Sequence, residues 1–405
     1  MNNKKMAIVS SYSESCGNAS FTKILHDGIE SFYKNIKVEV LELDLKLLQS
    51  VNKNVRKKAD KHIDELCHQL KAFDCANIQM EAGLYGTLPQ DIIKRFYKLV
   101  SANKNTSVTL HSPRLISSTP NNSRGGIKKI LQLNVIGGLK ELLTEKRGNI
   151  HLNINKKIIE YSIENKARLI VHTSRAKKQI QDFFSYSNVS VHPLKMVPDN
   201  YVENKNVLKD IRNYLDLSDA DVTIGMFGYI SSYKGHSDAL NALKLLPDNY
   251  KLLIFGRQHP QTLKANGVVD SYLNTLIQAA VNNKKLKNRV FFLGELNDQE
   301  FLDVASSIDI AWLPYYENGQ DGSGIASICM DLSPRVLCSS SFAFDELFKL
   351  VKYNNVMRFD IGNISEIALK TKMILKKNEL SRPYASNDLY SIKTQSDIYV
   401  QELTS

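Results

Sequence analysis

Short apolar runs alternate along the chain with segments whose apolar positions recur every three or four residues. In the first 200 residues the runs "MAIVSSY", "VEVLELDL", "CANIQME", "SVTLHSP" and "ARLIVHTS" read as strands. The second alternates apolar and acidic residues, as a half-exposed strand does. Between them, helical spacing predicts helices from about Phe21 to Tyr33 and Val55 to Lys71, and over "LPQDIIKRFYKLV", "IKKILQLNVIGGLKELL" and "RAKKQIQDFF". A loop rich in Ser, Pro, Asn and Gly runs from Ser117 to Gly126. The second half repeats the rhythm with "TIGMFGYI", "YKLLIFG", "RVFFLG", "IDIAWLPYY" and "RVLCSSS" as strands. The helical pattern "SDALNALKLL" puts Ala239, Leu240, Leu243 and Leu246 on one face. Strands alternating with helices over such lengths argue for βαβ units and parallel sheets. The expected architecture is α/β, with two Rossmann-like domains facing each other across a cleft and a joint around Val197–Val222.

Length supports two cores, since 405 residues exceed what one ordinary domain holds. No apolar run reaches the roughly 18 residues a membrane-spanning helix needs. The opening "MNNKKMAIVSSYSESCG" lacks a small-residue cleavage site and reads as a first strand, not a signal peptide. Five cysteines (Cys16, Cys67, Cys75, Cys329 and Cys338), with no CxxC pair, suit a reducing cytoplasm and no zinc site. A formal charge of +11 would fit nucleic acid, an anionic membrane surface or a phosphorylated substrate, or simple solubility. No nucleic-acid-binding signature accompanies it, so nucleic acid is set aside. Lysines on "IKRFYKLV" and "GGIKKILQLNVIGGLKELL" would suit peripheral contact with an anionic membrane, although both also read as ordinary core-facing helices.

In an open parallel sheet, ligands bind beyond the carboxyl ends of the strands, which directs attention to the loops that follow them. "GYISSYKG" carries Gly228, Gly235 and Lys234, a cation just before a helix, suited to a phosphate or diphosphate. Taken alone, Lys234 would equally read as a solvated turn lysine. "YYENGQDGSG" sets Glu317 and Asp321 ahead of Gly322, Ser323 and Gly324 at a helix start, where backbone N–H groups meet anions and a carboxylate grips sugar hydroxyls. "FGRQHPQT" supplies Arg257, His259 and Pro260, with Arg257 a phosphate partner or a plain surface arginine. On the first sheet, His111 ends one strand, Glu81 and Gly83 follow its neighbour, and "SESCGNAS" with Gly17 and Asn18 follows the first.

The order "GYISSYKG … LLIFGRQHP … RVFFLGELNDQEFLDVASSIDIAWLPYYENGQDGSG" resembles the nucleotide-binding half of GT-B glycosyltransferases, closest to the retaining family-4 (group 1) type. "VTLHSP", "NIQMEAGLYG" and "ARLIVHTSRAKKQI" resemble the acceptor half. "YSIKTQSDIYVQEL" is similar to the C-terminal helix that crosses back to the first domain. The resemblance implies an acceptor domain over 1–200, a donor domain over 201–385 and a returning helix over 386–405. It implies transfer of a sugar from a nucleotide-diphosphate donor to a hydroxyl of a glycan or lipid-linked oligosaccharide, with bacterial surface polysaccharide as the setting. Retained anomeric configuration, no metal and no cofactor beyond the sugar donor itself are part of the same expectation. Lys234 falls on the lysine that contacts the diphosphate, Ser323 and Gly324 on the amides facing phosphate and sugar, and His111 on the histidine reaching toward the sugar. Asp321 takes the first position of the family's glutamate pair, as the sugar-orienting carboxylate. Gly228, Tyr229, Arg257, Leu296 and Gly322 complete the implied donor site, and Gly17, Asn18, Glu81 and Gly83 the acceptor side. Three positions depart from the family: Tyr229 replaces a common arginine, Cys329 the second glutamate, and Arg335 a common proline. A cysteine cannot take up ribose hydroxyls as a glutamate would. A nucleotide-sugar epimerase, or a scaffold that binds the nucleotide sugar without transfer, are the alternatives.

Overall fold

The computed structural model describes residues 4–13, 16–116, 135–258, 270–317, 319–352, 354–377 and 389–404. The loop Ser117–Gly126, the first part of "IKKILQLNVIGGLKELL", and His259 and Pro260 lie outside them. The chain divides into two compact units. One comprises residues 1–194, 319–322 and 391–405, and the other residues 195–318 and 323–390.

The first unit is built on six parallel strands: β1 (Lys4–Ser10), β2 (Ile36–Glu42), β3 (Cys75–Met80), β4 (Thr106–Leu110), β5 (Arg168–Val171) and β6 (Val189–Val191), in the order β2-β1-β3-β4-β5-β6. Alternation sorts the strand residues onto two faces. Ala7, Val9, Ala76, Ile78, Val108, Leu169 and Val171 join one core with Ala59, Ile63, Ile92, Phe96 and Ile158 from the covering helices. The opposite face carries Asn77, Gln79, Ser107, Thr109 and Arg168, all buried. A sheet buried on both faces needs partners for such groups. The C-terminal helix Ile392–Thr404 supplies several of them: Arg168 donates to the Gln401 side chain and the Ile398 carbonyl, and Thr109 Oγ1 donates to the Tyr399 hydroxyl at 3.2 Å.

The second unit holds β7 (Val222–Phe227), β8 (Tyr250–Phe255), β9 (Val290–Gly294), β10 (Ile310–Leu313), β11 (Val336–Ser339) and β12 (Val356–Phe359). All pair in parallel, in the order β12-β11-β10-β7-β8-β9. Counted from its own first strand this is the doubly wound order 3-2-1-4-5-6, whose direction reverses between β7 and β10. Ile224, Met226, Leu252, Ile254 and Leu337 pack with Leu240, Leu243, Ile367 and Ile374, while buried Trp312 donates its indole N–H to Thr371 Oγ1 at 3.1 Å.

Several boundaries differ from the sequence expectation. The first helix begins at Gly17, not Phe21, because Cys16 is the last extended residue before it. The stretch expected as a joint contains the helix Asn206–Tyr214, buried through Leu208. Strands β6 and β12 were not anticipated; each is three or four residues long and closes one edge of its sheet. Arg335, the departure from proline, donates to the carbonyls of Ile374 and Lys377 and so caps the C-terminal end of the helix Ile364–Leu375.

Candidate active site

In the second unit the topological switch lies between β7 and β10, and the loops leaving both strands carry the implied donor residues. β7 is followed by Gly228, whose φ is +82°. A Cβ there would lie 2.5 Å from Lys234 Nζ and 2.2 Å from Ile325 Cδ1, so only glycine lets lysine and helix close on the strand end. The chain returns through a 3-10 turn, Ser232–Lys234, into Gly235 at φ +72°, where a Cβ would meet the Pro314 carbonyl oxygen at 2.0 Å. Lys234 is thereby folded inward and is only 3% exposed. Its ammonium donates to the Phe227 carbonyl at 2.9 Å and lies 5.8 Å from the centre of the Tyr315 ring. No carboxylate among the described residues pairs with it. Burial lowers its pKa from 10.5 to about 7. Cys329 is itself buried, its thiol pushed up to about 12 chiefly by burial, so it is neutral at pH 7 and offers no counter-charge.

The helix Gly324–Leu332 starts beside this lysine. Ser323 is its N-cap, accepting from the Ala326 N–H at 3.2 Å. The N–H groups of Gly324 and Ile325 have no acceptor among the described residues, as at any helix start without a ligand. A buried cation and free amides at one strand end can bind a diphosphate. Next along the sheet edge, Arg257 lies over the Tyr229 ring, 5.7 Å to its centre, and pairs with Glu295 at 2.9 Å, the residue before Leu296.

In the first unit the direction reverses between β1 and β3. Gly17 and Asn18 open the helix after β1, and Glu81 and Gly83 follow β3. Burial raises the Glu81 pKa, opposed by hydrogen bonds from the Ser112 side chain and the Ala82 backbone. The Gly83 carbonyl accepts from Gln49 Nε2 at 2.9 Å. Registers Thr109↔Ile170 and Gln79↔Thr109, continued by two residues, set His111 between Glu81 and His172. The His111 Nδ1 and His172 Nε2 atoms are 3.0 Å apart, and Phe21 packs edge-on against both rings. Burial pulls the His172 pKa down to about 4 and that of His111 well below its ordinary value, with His172 contributing to the latter.

Asp321 and Gly322 belong to this unit by their contacts. Asp321, 4% exposed, accepts from Arg175 Nη2 at 2.9 Å and from Thr173 Oγ1 at 3.2 Å, both on Oδ1. Burial raises its pKa and Arg175 opposes that rise. Oδ2 has no protein hydrogen-bond donor among the described residues. Glu317, the other carboxylate of that loop, instead accepts from the Phe342 N–H at 2.8 Å and from Ser341 Oγ at 3.2 Å. Sequence reasoning missed His172, Gln79, Thr173, Arg175 and Tyr315. The signal for His172 was present, since "VHTS" ends a strand adjacent to that of "LHSP".

Residues 209–388 match the family model described as glycosyl transferases group 1. No curated protein sequence matches the chain. Among solved structures, HepE of Anabaena in complex with UDP and glucose is 14% identical over 99% of this chain and 100% of its own, with a TM-score of 0.63. Sucrose-phosphate synthase from Thermosynechococcus elongatus is 16% identical over 99% of both chains, also at 0.63. WaaG, a glycosyltransferase involved in lipopolysaccharide biosynthesis, is 12% identical over 98% of this chain and 100% of its own, at 0.59. The chain has the GT-B fold of these solved structures, and its match to the glycosyl transferases group 1 model covers residues 209–388.

Proposed function

We propose that the protein moves a sugar from a nucleotide-diphosphate donor to a hydroxyl of a glycan or lipid-linked acceptor, in the assembly of a bacterial surface polysaccharide. The observation that carries this reading is Lys234: a buried ammonium with no carboxylate partner among the described residues, beside open helix amides. As the nucleoside diphosphate departs, negative charge grows on its phosphate oxygens. Lys234 and the Ser323–Gly324 amides are preorganised against that charge, a role that otherwise falls to a metal ion. Asp321 orients the sugar through Oδ2, and His111 lies against it. Retention of anomeric configuration follows the family, with the acceptor attacking from the leaving-group face. UDP is the first nucleotide to try, because HepE binds UDP and UDP-glucose. Among the described residues no helix is long and apolar enough to cross a membrane.

The test is turnover of a panel of nucleotide sugars with and without hydroxyl acceptors. Acceptor-dependent release of nucleoside diphosphate, falling about a hundredfold or more in Lys234→Ala with the fold intact, supports transfer. Near-normal turnover in that variant removes the assignment. Cys329, neutral where the family has a carboxylate, favours one second reading, binding of the nucleotide sugar without transfer. Donor binding with no release for any acceptor would select it.

A further inference from the structure

The polar face of the first sheet carries a hydrogen-bond chain that ends at a group able only to accept. His172 Nδ1 lies 3.0 Å from the carbonyl oxygen of His192, so that nitrogen carries a proton. One further proton lies between His172 Nε2 and His111 Nδ1. His111 Nε2 faces the Gln79 carboxamide at 2.7 Å, and the other end of that amide faces Asn77 at 2.6 Å. As placed, Gln79 turns Oε1 toward His111. Oxygen acceptors would then close both ends, and the two imidazoles would hold three protons and a positive charge.

The surroundings oppose that charge. Phe21 covers both rings, and no carboxylate is bonded to either among the described residues. The nearby charged groups are engaged elsewhere: Asp321 with Arg175, Arg168 with Gln401 and the Ile398 carbonyl, and Glu81 with Ser112; the Tyr399 phenol, whose pKa burial raises, stays neutral and bonds to Thr109 and Gln79. Carboxamide nitrogen and oxygen are told apart by the bonds they make. Turning both amides over gives every group a complementary partner. Ser107, 2.9 Å from one end of the Asn77 amide, donates to Asn77 Oδ1; Thr109, 3.1 and 3.2 Å from its two ends, donates there too once the Tyr399 hydroxyl turns its own proton to Thr109 Oγ1. Asn77 Nδ2 donates to Gln79 Oε1, Gln79 Nε2 to His111 Nε2, His111 Nδ1 to His172 Nε2, and His172 Nδ1 to the His192 carbonyl.

We propose that His172 is a positioning residue that fixes His111 as a neutral Nδ1–H tautomer, within a one-way chain from Ser107 and Thr109 to the main-chain oxygen of His192. His111 then meets the donor sugar as a locked, uncharged ring that takes up no proton during transfer. That consequence rests on the reading of His111 as the sugar-facing residue, whereas the tautomer does not.

The test is nitrogen-15 NMR of histidine-labelled full-length protein at pH 7, assigned with His111→Ala and His172→Phe. The expected spectrum gives both residues a protonated Nδ1 and an unprotonated Nε2. In His172→Phe, which removes the acceptor, His111 changes to the Nε2–H tautomer as Gln79 turns back. In His172→Gln, whose amide can both accept from His111 and donate to His192, the Nδ1–H form is restored. Donor turnover should fall about tenfold in the phenylalanine variant and recover in the glutamine variant. An imidazolium or an Nε2–H His111 in the wild type, or no change in His172→Phe, overturns the proposal. If His172→Phe does not fold, the wild-type and glutamine spectra still decide. Full activity in His111→Ala would instead overturn the sugar-facing reading and leave the tautomer standing.

Discussion

Replacing Lys234 by methionine keeps the length of the side chain and removes its charge, and the consequences can be worked from burial. Moving the lysine pKa from 10.5 to about 7 means the charged form is disfavoured in the folded protein by about 5 kcal/mol. The folded value is depressed, so this contribution to stability is present at high pH and is lost as pH falls from the unfolded value toward about 7. Lys234→Met should abolish that slope and raise stability near neutrality. The same shift governs ligand binding. A nucleotide sugar carries a diphosphate diester that does not titrate near neutrality, so proton exchange on binding reports the protein. With a pKa near 7, about a tenth of Lys234 is charged at pH 8, and binding should take up about 0.9 proton there but about 0.1 at pH 6. Affinity should fall about tenfold per pH unit above 8. Titration calorimetry at pH 8, in buffers of different ionisation enthalpy, measures the uptake directly. Tight binding at pH 8 with no buffer-dependent heat would refute the reasoning, as would undiminished affinity in Lys234→Met.

Cys329→Glu places a carboxylate near Lys234, so the lysine should stay charged at pH 8; the same calorimetry should then show proton uptake near zero. Gly235→Ala forces a Cβ to 2.0 Å from the Pro314 oxygen at positive φ. It should cost at least about 1–3 kcal/mol and weaken nucleotide binding, read by thermal denaturation and titration. Arg168→Met removes two donors to the C-terminal helix, at about 2–3 kcal/mol. Hydrogen exchange should quicken across Ile392–Val400 well before it does in β3 and β4.

The alternation of periods two and 3.6 sufficed for both parallel sheets: the central strands of the second are apolar runs buried on both faces, and β3 and β4 of the first alternate apolar with small or amide side chains. It failed at β6 and β12, where "VSV" and "VMRF" are too short to show a period. The loop position of Lys234 was legible because Gly228 and Gly235 on either side of it are dictated by steric approach. That Lys234 is buried was not legible, since it depends on Gly228 admitting Nζ and on a neutral Cys329. Asp321 was read as part of the donor loop, yet its hydrogen bonds come from Thr173 and Arg175, far away in sequence. His172 was missed because a histidine at a strand end is unremarkable until the register sets it beside His111.

The central claim is that the Lys234 loop binds the diphosphate of a nucleotide-sugar donor. Its most direct test is a thermal-shift panel of UDP, GDP, ADP, CDP and dTDP on the wild type and Lys234→Met. Binding at a hundred times Kd stabilises the folded state by about 2.7 kcal/mol, which is a shift of several degrees. The account predicts that one of these nucleotides moves the wild-type midpoint by that amount and leaves the methionine variant unmoved. No shift with any of them, or equal shifts in both proteins, would contradict it.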